Sequence, residues 1–197
     1  GHRLVRTRIP WSAATGSGTT EIIIPTAACR LLIEVLKGLP ETGEVEVRLS
    51  DNHVLEVALP GGRYAVRLLE GMFPKTDQVI PSQPQRSVEL EVGELTEAVR
   101  RAALVLADHK HPVKLHFNDG LTVSAASADA GSAEAHVEIR WLSEAESVVI
   151  GVNASYLLDY LQMIKSGTVE LAFTDSLRPL RFSGSTVPLY VVMPMRI

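Results

Sequence analysis

The sequence has little of what marks an exported, membrane-spanning or strongly basic protein. It contains one cysteine, Cys29, so no internal disulfide can form and a reducing compartment is expected. No run approaches the roughly 18 apolar residues that span a bilayer, and no charged segment with an apolar one behind it opens the chain. The net charge of -4 argues against a protein whose entire surface binds nucleic acid. We therefore expect a globular cytoplasmic protein with no membrane contact.

Catalytic and metal-binding patterns are also scarce. The glycine-rich segment TGSGTT, residues 15–20, lacks the GK[ST] ending of a phosphate-binding loop. Asp108, His109 and His111 lie close together, but the two histidines are two residues apart and point to different sides of a helix. We predict no catalytic residue, no metal and no cofactor. An enzyme that uses such a titratable cluster on the same scaffold is the alternative.

A repeat is the main organising feature of the chain. The repeat is roughly 60 residues long and consists of an apolar strand, a helix, two alternating strands around a polar turn, and a further strand. Its copies start at Glu21, Ser87 and Ser147. The turns SDNH, NDG and TDS are short enough to require antiparallel hairpins.

The repeat predicts an α+β fold in which two units make one domain. A helix on one face of an antiparallel sheet needs a second such layer to bury its remaining apolar surface. The second and third copies then form one complete pair, preceded by a single copy. Residues 3–13 resemble the final strand of another unit, and residues 81–87 the interdomain linker.

The second predicted helix carries a leucine on the side opposite its core-facing residues. Helical spacing predicts a core stripe formed by Leu95, Val99, Ala102, Ala103 and Leu106. Leu104 falls on the opposite side, either as an isolated surface leucine or, with Val105, as a contact for another subunit. The outer faces of the other two helices carry mixed charges and do not resemble a tight DNA-binding stripe: Arg30, Glu34 and Lys37; Ser155, Asp159 and Gln162.

The last segment, YVVMPMRI, has two interpretations. Adjacent apolar residues favour a final strand that is buried on both faces. The alternative is a surface that binds partners, because proline cannot donate to a strand ladder and methionine is common on surfaces that accept varied partners.

Six segments together resemble the bacterial DNA polymerase III beta subunit family, the sliding clamps. They are GHRL (residues 1–4), GMFPKTDQVIP (71–81), RRAAL (100–104), GVNASYLLDYL (151–161), LAFTDS (171–176) and YVVMPMRI (190–197). The resemblance implies a ring of two subunits, each with three domains that are internally duplicated. Residues 1–81 would be the C-terminal half of the middle domain and residues 82–197 the complete third domain, which makes one and a half clamp domains.

The resemblance also implies a function, which is binding without catalysis. Family members are processivity factors that encircle duplex DNA as homodimers. They tether the polymerase III alpha subunit, the clamp loader, and other polymerases or repair proteins through short peptide motifs. The expected location is the cytoplasm, at the nucleoid. Without the first domain of a neighbouring subunit, this part of the protein is not expected to close a ring, because a head-to-tail interface needs both of its faces.

The residues of two sites follow from the resemblance. The subunit contact would use Leu104 and Val105. The peptide pocket, between the second and third domains in the family, would use Gly1, His2, Arg3, Leu4, Pro74, Gln78, Val79, Asn153, Tyr156, Leu177, Pro179, Val191, Val192, Met193, Pro194, Met195 and Arg196. Gln78 replaces a residue that is often basic and Lys110 one that is commonly aromatic, so peptide preference is expected to differ. The two ends of the sequence are predicted to meet at this pocket.

Overall fold

The computed structural model describes residues 2–9, 20–39, 45–50, 52–106 and 112–197. Within these residues the fold is α+β, as predicted. The helices are α1 Thr26–Lys37, α2 Val92–Ala103 and α3 Ala154–Ile164. The strands are β1 Arg3–Arg6, β2 Glu46–Ser50, β3 Val54–Leu59, β4 Gly62–Arg67, β5 Arg86–Glu91, β6 Val113–Phe117, β7 Leu121–Ser127, β8 Gly131–Val137, β9 Ile139–Trp141, β10 Val148–Val152, β11 Thr168–Phe173, β12 Leu180–Ser183 and β13 Leu189–Val192. None of the helices in the described part of the chain is long and apolar enough to cross a membrane.

The chain divides into two compact units. The larger unit contains Gly1–Trp11 and Thr76–Ile197, and the smaller contains Ser12–Lys75. The first strand thus packs with the later part of the chain. The assignment of residues 1–81 and 82–197 to two clamp domains stays a prediction.

In the larger unit the second and third repeats exchange their leading strands. The leading strand of the second repeat, β5, pairs with β11 of the third, and the leading strand of the third, β10, pairs with β6 of the second. The result is a six-stranded sheet of order β1-β13-β12-β11-β5-β9 and a four-stranded sheet of order β10-β6-β7-β8. Neither repeat has a complete sheet without the other.

Residues 134–142, EAHVEIRWL, read in the sequence as the further strand of the second repeat, but they contribute to two strands. β8 is an edge strand of the four-stranded sheet, whereas β9 pairs with β5 in the six-stranded sheet. Glu138 separates them, so the chain changes sheets at this residue. Local periodicity does not reveal this change, because both strands alternate and only distant partners differ.

Helices α2 and α3 pack against each other over the core of the larger unit. From the predicted stripe, Leu95, Val99 and Ala102 are buried, and Ala103 and Leu106 are partly buried against the same core. Two groups of aromatic rings pack together in this unit: Phe117 with Trp141 and Phe173, and Tyr160 with Phe182 and Tyr190.

Helix α2 ends earlier than its apolar pattern indicates. Its last residue is Ala103, and the Leu104 amide donates to the Arg101 carbonyl at 3.2 Å. The Leu106 amide then donates to Ala103 at 3.1 Å. These bonds span three residues, so the chain tightens into turns. The predicted linker, residues 81–87, also ends earlier than expected, because β5 begins at Arg86.

The smaller unit is a single repeat, with α1 beside the sheet β2-β3-β4. Its buried core contains Leu55, Val57, Leu59 and Leu68. The expected leading strand at residues 21–24 is reduced to one bridge, between Ile23 and Leu69.

Candidate functional site

The two ends of the described chain meet in one antiparallel ladder. β1 pairs with β13, with Arg3 opposite Val192 and Leu4 opposite Val191. The Met193 amide extends the ladder by donating to the His2 carbonyl at 2.9 Å. The predicted meeting of the two termini is therefore confirmed.

Pro194 interrupts this ladder, and the tail then turns to another strand. The Met195 amide donates to the Gly151 carbonyl at 2.8 Å, next to the start of α3. A Cβ atom on Gly151 would lie 2.7 Å from the Met195 carbonyl oxygen, closer than real Cβ contacts come. Gly151 thus permits the close approach that brings the methionine tail to α3.

Asn153 fixes the beginning of α3. Its Oδ1 accepts hydrogen bonds from the Ser155 amide at 2.9 Å and the Tyr156 amide at 3.3 Å. These are the amides that a helix leaves unpaired in its first turn, so Asn153 is an N-cap. The Tyr190 hydroxyl donates to the Tyr156 carbonyl at 2.8 Å, which ties the same turn to β13. The cap and this bond fix the Tyr156 backbone relative to β13.

Arg3 joins β1 to α3. Its Nη1 lies 2.5 Å from Asp159 Oδ2, and its Cζ lies 4.5 Å from the centroid of the Tyr156 ring. The hydrogen bond that Arg3 donates to Asp159 is the main reason that the pKa of the Arg3 guanidinium is raised. A cation over an aromatic face adds a modest attraction.

The turn at Thr76–Gln78 reaches the site through an ion pair. Arg6 Nη1 lies 2.6 Å from Asp77 Oδ1, which brings the adjacent Gln78 and Val79 near β1. Val79 is exposed. Pro74 is also exposed and belongs to the smaller unit.

The loop before β12 carries Leu177 and Pro179. Asp175 Oδ1 accepts hydrogen bonds from the Leu177 amide at 2.9 Å and the Arg178 amide at 2.8 Å. These backbone bonds lower the pKa of the Asp175 carboxyl. Because Leu180 pairs with Val192, Pro179 lies beside the end of β13.

Candidate residues in this region fall into buried and accessible groups. Val191 and Val192 are buried, and Val192 belongs to the main core, so these valines form a wall behind the surface. Met193 is 37% exposed, while Val79 and Leu177 are exposed and Pro194 and Met195 are half-buried. His2 and Arg196 are exposed polar residues at the edge. The surface offers apolar side chains with polar groups around them, which is suited to binding.

Three acidic residues and one glycine complete the site, and none of them is among the site residues predicted from the sequence. Asp159, Asp77 and Asp175 each position a candidate residue or its neighbour, and Gly151 admits the tail. The segments GVNASYLLDYL, GMFPKTDQVIP and LAFTDS contain all four. Their roles depend on distant partners.

The structure describes some of the remaining predicted residues, and others lie outside the described ranges. Leu104 is 80% exposed just after α2, and Val105 is partly buried against the core. Gly1, Asp108, His109, Lys110 and His111 lie outside the described residues. Among the residues that are described, no group of three or more histidine, cysteine or acidic side chains could hold a metal ion.

The fold matches solved sliding clamps along the whole chain. A DnaN sliding clamp from Bartonella birtlesii, bound to griselimycin, is 27% identical with a TM-score of 0.88 over 100% of this chain and 52% of its own. The beta sliding clamp of C. crescentus, with polyethylene glycol in a region assigned to beta-motif tethering, is 26% identical with a TM-score of 0.89 over 100% and 52%.

Sequence comparison gives the family. The model for the DNA polymerase III beta subunit, C-terminal domain, matches residues 77–196, and the chain belongs to this family. The beta sliding clamp of Proteus mirabilis is 29% identical over 89% of this chain and 48% of its own length. That of Streptomyces coelicolor is 34% identical over 70% and 38%. The chain spans about half the length of the curated relatives it matches.

Proposed function

We propose that this chain is part of a sliding clamp that encircles duplex DNA and binds short apolar peptides of its partners. The partners are the polymerase III alpha subunit, the clamp loader, and other polymerases or repair proteins. One observation carries the peptide site: β1, the Met193–Arg196 tail and the first turn of α3 converge, although they are distant in sequence. The role is tethering without catalysis, at the nucleoid in the cytoplasm.

The exposed helix faces support sliding on DNA without tight binding. α1 exposes Arg30, Glu34 and Lys37, whereas α3 exposes Asp159 and Gln162. On α2, Arg100 is already paired with Glu97. Clustered cations would hold phosphates and slow sliding, while a closed ring needs only a topological link.

Residues 1–81 and 82–197 would then be the second half of the middle clamp domain and the complete third domain. Leu104 and Val105 would meet the first domain of a neighbouring subunit in a homodimer. Burial of an exposed leucine such as Leu104 in an interface contributes favourable free energy, which supports this assignment.

The peptide site is tested by titrating a capped peptide, Ser-Leu-Asn-Leu-Phe, into the 197-residue chain. We expect saturable binding in the micromolar range. Met193→Ala and Met195→Ala should each weaken it about fivefold, because burial of part of a methionine side chain contributes on the order of 1 kcal/mol.

Met163→Ala is the matched control. Met163 is 47% exposed and lies near the far end of α3 from Tyr156, so peptide affinity should stay the same. If the folded chain shows no saturable binding, or if Met163→Ala weakens it as much as Met193→Ala does, the proposed peptide site is wrong.

A further inference from the structure

Within the described ranges, Arg3 is the arginine that faces the Tyr156 ring, and it already forms an ion pair. Asp159 Oδ2 lies 2.5 Å from Arg3 Nη1, and the guanidinium carbon lies 4.5 Å from the ring centroid. The cation therefore has a carboxylate partner within the protein. The same contacts hold the guanidinium against the ring, at the edge of the proposed peptide site.

Other arginines around the site are also paired. Arg6 contacts Asp77 at 2.6 Å, and Arg178 contacts Asp175 at 3.4 Å. Gln78, next to Asp77, is uncharged.

A further arginine, Arg181, lies opposite Val191 in the sheet. It contacts Glu170 at 3.9 Å and donates to the Pro81 carbonyl at 2.9 Å. Among the candidate residues that are described, Arg196 is the arginine with no ion pair to another described residue. It is in the tail after Met195, whereas Arg3 is on β1.

We propose that Asp159 is a specificity-determining residue: by neutralising Arg3, it makes the β1–α3 end of the site favour peptide side chains that carry no carboxylate. The inference rests on the proposed peptide-binding function. An incoming carboxylate would have to displace Asp159 from Arg3 and would meet the repulsion of Asp159 itself. An uncharged side chain avoids both costs and can pack on the Tyr156 ring and the exposed apolar residues. Asp159 acts through Arg3, so it is a positioning residue.

The solvent exposure of the Arg3–Asp159 ion pair sets the size of the expected change in peptide preference. The Arg3 and Asp159 side chains are 41% and 59% exposed, so solvent screens the pair. Removal of the Asp159 charge should therefore change the preference between an acidic and a neutral peptide by about two- to fivefold. The change should shrink as salt is added, because both groups face solvent.

The test compares two capped peptides that differ by one charge at constant shape, Ser-Leu-Asn-Leu-Phe and Ser-Leu-Asp-Leu-Phe. The wild-type chain should bind the asparagine peptide at least as tightly as the aspartate peptide. In Asp159→Asn the ratio of dissociation constants should move about two- to fivefold toward the aspartate peptide, and added salt should reduce this gain. The double variant Arg3→Gln with Asp159→Asn should lose the gain, because the freed cation is absent.

Glu97→Gln is the control for net charge. Glu97 pairs with Arg100 on α2, and their side chains are 55% and 50% exposed, so the ion pair is comparable but lies elsewhere. This variant should keep the wild-type ratio. An unchanged ratio in Asp159→Asn, an equal change in Glu97→Gln, or a gain that persists without Arg3 overturns this inference while peptide binding stands. If neither peptide binds the wild-type chain, the proposed function fails and this inference fails with it.

Discussion

The two compact units differ in how much of their helices and strands is buried. In the larger unit, α2 buries five of its residues, including Leu95 and Val99, and packs against α3. In the smaller unit, none of the α1 residues, all of which the structure describes, is buried, and Leu31, Ile33 and Leu36 are exposed. Every residue of β2 is exposed as well.

The difference shows that the repeat is not a complete folding unit. β5 and β10 each complete the sheet of the other repeat, so two copies share one core. The corresponding segment of the first repeat has only the bridge between Ile23 and Leu69. A single repeat can form its hairpins, but one side of its helix is left uncovered.

The largest expected contrast comes from one substitution made in both units. Leu95→Ala in α2 should lower the free energy of unfolding by about 2–5 kcal/mol, because it opens a cavity in a closed core. Leu32→Ala in α1 should cost only about 1 kcal/mol, because Leu32 is partly buried and loses less contact. Urea unfolding combined with hydrogen exchange of the β6 and β3 amides separates the two units. Equal losses would contradict the contrast.

A smaller contrast concerns buried and partly buried tyrosines. Tyr190→Phe should cost about 1 kcal/mol, because its hydroxyl donates to the Tyr156 carbonyl in the core. Tyr64→Phe on β4 should stay within about 0.5 kcal/mol, since the Tyr64 hydroxyl has no hydrogen bond to another described residue. Thermal unfolding at neutral pH measures both.

The Tyr190 comparison also has a pH dependence. Burial raises the pKa of Tyr190 from 10.0 to about 12. Below pH 10 the hydroxyl is protonated in both states, and its contribution is fully present. As pH rises from 10 to 12, the unfolded chain ionises first and stability is lost. Tyr190→Phe should remove part of this alkaline loss. Tyr160, whose pKa burial also raises, should retain the rest.

The smallest effect is expected on the exposed side of α1. Ile33 is 52% exposed, so Ile33→Lys should change the free energy of unfolding by no more than about 0.5 kcal/mol. Ile164→Lys makes the same change in α3, where the isoleucine packs against the main core, and should cost clearly more. Chemical denaturation of both variants tests this. A similar loss at the two positions would mean that α1 is better covered than its exposure indicates.

Local patterns were enough to predict the repeat and its hairpins. The three turns do join antiparallel strands, β2 to β3, β6 to β7 and β11 to β12. What sequence could not predict depends on remote partners. Glu138 looks like any residue within an alternating strand, yet the chain changes sheets there. The apolar spacing continues to Leu106, although α2 ends at Ala103.

The candidate site shows the same limit. The family resemblance identified the motifs, and the predicted meeting of the two ends of the sequence is seen in the pairing of Leu4 with Val191. The role of each residue within a motif was harder to foresee. Gly151 is needed because a carbonyl from the tail passes 2.7 Å from where its Cβ would be. Asp159 matters because of Arg3, which lies at the other end of the sequence.

The ladder between β1 and β13 also has a consequence for synthesis on the ribosome. β1 precedes its partner β13 by most of the residues of this sequence, so Arg3–Arg6 has no native partner until β13 has been translated. Contacts so distant in sequence slow folding, and an unpaired strand can meet other chains in the meantime. Three of the eight residues 2–9, in and around β1, are arginines, and such charges oppose association of the unpaired strand with other chains until β13 is translated.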